Sequence, residues 1–394
     1  MHDLAHLGPL PLHVRGERHT EDVRQSRSAV CFGSRLGHDP VPPFRRQVVD
    51  AAVCLHCPRA GTAGMRGRTE RSGLPAARSV DTIRGDTRSG GWTAISHADW
   101  DIVTGVGITA LAVAAGRAVE SGRGGLVTDP YAATFVAAAA SPVPLPTSLD
   151  AADPDLRPVW DAMATYMGVR SRFFDEYLGA ATAAGLPQVV LLAAGLDTRA
   201  YRLRWPPGTV VYELDAPKVL SFKDEVLAFA DAVPTTERLA VDADLREDWP
   251  EALRERGFDV ARPTVWLAEG LLPLLPNNAK DAVFTRVHEL SAPASRLAAE
   301  HVDDVAAVVR TARFDEVRDR VGIDMAALWP DEDDYRPADW LTRHGWTVDV
   351  ERSADVARRY GRTLDDAAGG DGSAGNPMGT SQLITARRGG GPIA

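Results

Sequence analysis

The spacing of hydrophobic positions changes several times along the chain, and the changes divide it into parts. Over residues 1–95 apolar residues keep no sustained period, and Pro, Gly, Ser and Arg are scattered among them, so this stretch is expected to be disordered. Over residues 100–121, Ile102, Val106, Leu111, Val113 and Val119 return at helical spacing in an alanine-rich background, which predicts a helix lying over a pocket. Asp129-Pro130-Tyr131 predicts a new helix start, with Asp129 as cap and Pro130 in the first position. The proline-rich, acidic stretch 141–158 reads as a loop. A long helix is predicted over residues 160–184. At roughly 100° per residue, Tyr166, Met167, Val169, Phe173, Phe174, Tyr177 and Leu178 share one face, Arg170 falls near its middle, and Arg172 points the other way.

Beyond residue 186 the pattern shortens to strands. Val189 to Leu192 is wholly apolar and β-branched in part, as expected of a strand buried on both faces of a parallel sheet. Ala193-Ala194-Gly195 ends it with small residues, Asp197 and Thr198 can cap a following helix, and a second strand over 209–214 runs into Glu213-Leu214-Asp215. Asp215 follows Gly195 at about the twenty-residue interval at which a nucleotide-binding βαβ unit places an acid on ribose hydroxyls. A third strand over 238–241 ends at Asp242-Ala243-Asp244-Leu245, and a fourth over 264–267 leads into Ala268-Glu269-Gly270. A fifth covers 296–300 before His301, a sixth begins at Gly345-Trp346, and a seventh covers 381–386. Residues 305–343 read as a charged helical cover over the substrate side, and 369–379 as a glycine-rich loop.

A dinucleotide site needs three glycines for close approach to a pyrophosphate. Here two of the small positions are alanine and Asp197 puts a carboxylate in the turn. S-adenosylmethionine has ribose and adenine, lacks phosphate and carries a positive sulfonium, so an acid-lined turn suits it better. Taken alone, the Gly195 turn could also be an ordinary tight βα connection.

Arg170 lies on a buried face and must find an anion, either a protein carboxylate or one on a ligand. An acid at a strand tip can accept from an adenine amino group, and Asp242 and Asp244 both qualify, as they do for capping the helix after them. Glu269 stands at the tip of a central strand, either as a cap or as a site acid. His301 could act as a base at the end of the fifth strand or be a satisfied structural residue.

Composition narrows the function. The formal net charge is −10 over 394 residues, which argues against a general nucleic-acid binder. Only Lys218, Lys223 and Lys280 are lysines among 44 basic residues. Residues 1–95 hold fourteen arginines against nine acids, a basic arm if functional and otherwise an extension unrelated to the catalytic body. Cys31, Cys54 and Cys57 all lie there. The CxxC spacing of the last two lacks a second pair, so no metal site is expected. The absence of cysteine elsewhere fits a reducing cytoplasm. No secretory signal or membrane-spanning run is expected.

GLPQVVLLAAGLDTRAYRL, VVYELDAPKVLSFKDEVL, ADLREDWPEAL and VWLAEGLLPLLP, in this order, resemble successive blocks of the leucine carboxyl methyltransferase family, in particular its actinobacterial branch. Ala193 departs from the glycine usual in the family. The resemblance implies an α/β, Rossmann-like class I methyltransferase with a mostly parallel seven-stranded sheet, helices on both faces and an N-terminal helical cap. That body would occupy residues 96–394, with the cap at 96–185 and the core at 186–394. It implies S-adenosyl-L-methionine as cofactor and O-methylation of a small-molecule or peptide carboxylate or hydroxyl. It also implies that Arg170 holds the cofactor's methionine carboxylate, that Gly195 and Asp215 line its site, that Asp244 and Leu245 meet adenine, and that Glu269 meets the amino group or lines the substrate entrance. An NAD-dependent oxidoreductase and a noncatalytic cofactor-binding protein are the alternatives; the catalytic base, if any, the acceptor and the oligomeric state are left open.

Overall fold

The computed structural model describes residues 106–141, 143–302, 334–364 and 377–389. The arginine-rich extension, its cysteines and most of the 305–343 cover lie outside the described residues.

Among the described residues three helices come first, α1 (Val106–Gly122), α2 (Ala132–Ala138) and α3 (Arg157–Ala183). A repeating strand and helix pattern follows: β1 (Gln188–Leu192), α4 (Arg199–Arg202), β2 (Val210–Asp215), α5 (Pro217–Phe229), β3 (Glu237–Asp242), α6 (Trp249–Glu255), β4 (Thr264–Ala268), α7 (Asn277–Glu289) and β5 (Arg296–His301). The described residues end with α8 (Pro337–Arg343), β6 (Trp346–Arg352), α9 (Ser353–Arg359), the single turn α10 (Pro377–Thr380) and β7 (Gln382–Arg388).

The strands form one seven-stranded sheet in the order β3-β2-β1-β4-β5-β7-β6. β1 pairs in parallel with both β2 and β4, so the chain changes direction across the sheet between β1 and β4. Only β7 runs against its neighbours. In such a sheet the crevice for a ligand opens at the carboxyl ends of the strands where the order reverses, here the tips of β1, β2 and β4. The expected seven strands and their mostly parallel pairing are present.

Every residue of β1 and β4 is buried, because helices cover both faces. Val189, Leu191, Val211, Val265 and Leu267 face Phe174 and Leu178 of α3. Their strand neighbours Val190, Leu192 and Trp266 pack with Trp249, Phe258 and Phe284 on the opposite side. β6, at the sheet edge, is mostly exposed, with Trp346 its one buried residue.

The helical cap is pinned by close approaches. Gly168 of α3 lies against the buried Glu120 of α1, whose Oε1 accepts from Leu126 N at 2.6 Å. A Cβ at Gly168 would come within 2.3 Å of that carboxylate.

Two local expectations are corrected. Asp129 and Pro130 lie ahead of α2, which begins at Ala132 with Tyr131 as its N-cap; Asp129 Oδ1 accepts from Tyr131 N at 3.1 Å, while Oδ2 accepts from Arg117 Nε at 2.9 Å and Thr198 Oγ1 at 2.8 Å. Gly379, expected in a loop, sits within α10.

Candidate functional site

β1 leaves the sheet at a turn whose backbone is left-handed twice, at Ala193 and Gly195, both with φ of 50°. Glycine adopts that conformation freely, whereas for alanine it costs about 1–2 kcal/mol. Several of the turn's N–H groups are already engaged. Gly195 N donates to Asp215 Oδ2 at 2.6 Å, Asp197 N to Ala194 O at 2.9 Å, and Arg199 N to Asp197 Oδ1 at 2.7 Å. A pyrophosphate needs such N–H groups open, and their engagement counts against the dinucleotide alternative at this turn. The cap reaches the turn too, with Arg117 Nη2 donating to Leu196 O at 2.6 Å.

A cavity of about 330 Å³ opens beside this turn, within the range of roughly 300–1,000 Å³ common for small-molecule sites. All six residues singled out from the sequence, Arg170, Gly195, Asp215, Asp244, Leu245 and Glu269, line it. Asp242, the rival acid at the β3 tip, is exposed and lies outside the lining, as does the buried His301.

The acids differ in what holds them. Asp215 Oδ1 accepts from Ala216 N at 2.7 Å, and Oδ2 is the acceptor for Gly195. Burial still outweighs these bonds and pushes the Asp215 carboxyl up to about 6. Asp244 at the far end is bound by Arg246, whose Nε donates to it at 2.9 Å. Burial opposes ionisation of Glu269, but Arg199 and Arg170 outweigh it and hold its carboxyl below the usual range.

Arg170 finds its anions within the protein. Its Nη1 donates to Glu300 Oε2 at 2.8 Å. Its Nε lies 2.8 Å from Glu269 Oε1 as an ion pair whose N–H is not directed at the oxygen. Glu300 also accepts from Gly270 N at 2.9 Å and from Tyr166 Oη. Protein carboxylates therefore meet the electrostatic demand of Arg170, and the guanidinium still forms part of the cavity wall.

Sequence reasoning did not single out Arg199, Glu300 or Arg117, and read Tyr166 only as part of the apolar face of α3. Arg117 follows Ala110 and Val113 at helical spacing, so the lining face of α1 carried a signal. Arg199 stands in a four-residue helix, too short to show a period.

The donor set fits a sulfonium nucleoside: carboxylates at the tips of β2, β3 and β4, five arginines each paired with a protein carboxylate, and an apolar wall that includes Val113 and Leu275. The family model for leucine carboxyl methyltransferase matches residues 110–288. A Saccharopolyspora erythraea protein named as an S-adenosyl-L-methionine-dependent methyltransferase is 46% identical over 294 residues, 74% of this chain and 99% of its own length. The chain belongs to the leucine carboxyl methyltransferase family. It is an S-adenosyl-L-methionine-dependent methyltransferase. A Rhodococcus jostii relative of the same kind is 48% identical over 276 residues, 68% of this chain and 91% of its own. A solved DUF574 family protein from Streptomyces avermitilis covers 69% of this chain and 96% of its own at 17% identity, with a TM-score of 0.40. No helix among the described residues is long and apolar enough to cross a membrane, and no cluster suited to a metal ion occurs among them.

Proposed function

We propose that this methyltransferase acts on oxygen, with a carboxylate of a small molecule or peptide as the favoured acceptor and a hydroxyl as the second reading. The observation that carries this is the state of the cavity's acids. A general base works best with a pKa near the operating pH. Glu269 is held low by its two arginines; for Asp197, burial raises the carboxyl, but Arg199, Lys223 and Arg202 bring it down to about 2. Asp215 lies nearer neutrality, but both its oxygens accept backbone N–H groups. A carboxylate acceptor is already ionised at neutral pH and needs no base.

When bound, the cofactor supplies an electrophilic methyl group on a sulfonium. The chain's own part is alignment and exclusion of water. In this reading Asp215 takes the ribose hydroxyls, Asp244 and the Leu245 N–H take adenine, and Gly195 permits close approach. Glu269 faces the amino group and Arg170 the methionine carboxylate. A guanidinium has five N–H donors, so the pairing with Glu300 leaves Arg170 capacity for a ligand. Residues 96–394 would carry the whole activity, in a reducing cytoplasm, without nucleic acid or membrane as partner. The length of the Saccharopolyspora relative, which matches this chain over 294 residues, supports that boundary.

The test uses the purified chain, methyl-labelled cofactor and a panel of carboxylic acids, alcohols, amines and thiols. Methyl esters release methanol in mild alkali and methyl ethers do not, so alkaline lability separates the two oxygen readings. Label transferred only to nitrogen, sulfur or carbon would overturn both.

A further inference from the structure

Arg199 lies at the junction of the cavity's acids and is 2% exposed. Its Nε donates to Asp175 Oδ1 at 2.7 Å, its Nη1 pairs with Asp197 and lies 2.7 Å from Glu269 Oε2, and its Nη2 reaches Ser171 O at 3.5 Å. Asp175 is itself gripped by Arg202 through both oxygens, at 2.6 and 2.8 Å. The guanidinium is thus fixed from α3 and from the β1–α4 turn, and one edge of it is presented to Glu269. The opposite side of Glu269 meets Arg170, which Glu300 of β5 shares. Asp197 is the like charge nearby, acting to raise the Glu269 carboxyl.

We infer that Arg199 is the positioning residue for the amino-acid end of the cavity, fixing Glu269 as an anion that receives a ligand ammonium group. This rests on the cofactor reading above. Arg199 does not need to touch the ligand; it acts by supplying the charge that keeps Glu269 ionised and by holding its carboxylate in one orientation. Without it, Glu269 would be left buried between Asp197 and an arginine already shared with Glu300. Such a carboxylate takes up a proton towards neutral pH and turns from an acceptor for an ammonium group into a competing donor. The adenosine end, held by Asp215, Asp244 and Leu245, would be untouched.

The test is calorimetric titration of the full chain, the Arg199→Met variant and the Arg199→Lys variant with three ligands across neutral pH. S-adenosyl-L-methionine and S-adenosylhomocysteine carry the amino-acid tail; 5′-methylthioadenosine keeps the nucleoside and sulfur without it. Arg199→Met is expected to weaken both tailed ligands by about tenfold or more, and 5′-methylthioadenosine by less than about twofold. Below about pH 7, where the ligands' own ammonium group stays protonated, the tailed-to-tailless affinity ratio should become pH-dependent in this variant alone, since titration of Asp215 affects all three ligands and cancels in the ratio. Arg199→Lys keeps the charge, loses the fork, and should recover part of the ratio. If Arg199→Met does not fold, the same ratio in Arg199→Lys decides. Equal losses for all three ligands, or an unchanged ratio, would overturn the inference. A parent chain that binds none of the three overturns the cofactor reading itself, a different result.

Discussion

Replacing Asp215 with asparagine separates two consequences of one buried carboxyl. In the parent, burial raises this group from 3.8 to about 6. A carboxyl raised on folding contributes stability that is fully present below the unfolded value and is lost as pH rises through the folded one. From this displacement, ionised Asp215 costs up to about 3 kcal/mol at pH 7, an upper bound because it faces a cavity that admits water. Asparagine removes that cost. It also turns one acceptor oxygen into an N–H₂ group facing the N–H of Gly195 or Ala216, at about 1–3 kcal/mol. The two effects nearly cancel near neutrality.

Their pH dependence does not cancel. Between about pH 8 and pH 5 the parent regains roughly 1 kcal/mol as Asp215 takes up its proton, and the asparagine variant does not. Thermal unfolding of both proteins across that window should therefore show the variant losing ground to the parent as pH falls, by about 2–4 °C. Affinity moves the other way. In the proposed ribose role Asp215 must be ionised, so the parent's affinity for S-adenosyl-L-methionine should fall as pH drops below about 6, approaching tenfold per unit. The variant should bind about a hundredfold more weakly at neutral pH, from the loss of charge-assisted hydrogen bonds. A parent-minus-variant stability difference that stays flat with pH would refute the displaced carboxyl. Unchanged affinity in the variant would refute the ribose role.

Three further substitutions test the framework around the site. Ala193→Gly should raise stability by about 0.5–1 kcal/mol in denaturant unfolding, because relief of a left-handed alanine exceeds the added freedom of the unfolded chain. Gly168→Ala should destabilise by about 1–3 kcal/mol, since its Cβ would displace the buried Glu120 carboxylate from Leu126 N; a neutral result would mean that α1 and α3 are not held this closely. Lys223 Nζ lies 2.7 Å from Glu213 Oε2, with both side chains fully buried. Lys223→Met leaves Glu213 to Arg238 alone and should cost about 3–5 kcal/mol in chemical denaturation.

How much of this was legible in the sequence depended on the length of the element that carried each residue. The strands were readable because β1 and β4 are apolar throughout, a pattern that burial on both faces imposes. Arg170 stood out for the same reason in reverse: α3 runs for 27 residues, long enough to define an apolar face against which one charge is an exception. Which acids pair with it was not readable. Glu269 and Glu300 reach it from strand tips about a hundred residues or more away in sequence, and nothing local distinguishes them from acids that cap helices or meet water.

Arg199 is the opposite case. A single helical turn has no period to violate, so a fully enclosed guanidinium there looks like any surface arginine. Asp129 misled for a related reason. Followed by proline, it carries a helix-start signal, but Arg117 and Thr198 bind it from other elements and α2 begins later. The buried charges of this site form a connected set across α3, the β1–α4 turn, β4 and β5. Local pattern exposes a member of that set only where it interrupts a long apolar face. The residues that decide which ligand end the cavity recognises are therefore expected where regular structure is shortest, and Arg199 is the position at which that expectation can be measured.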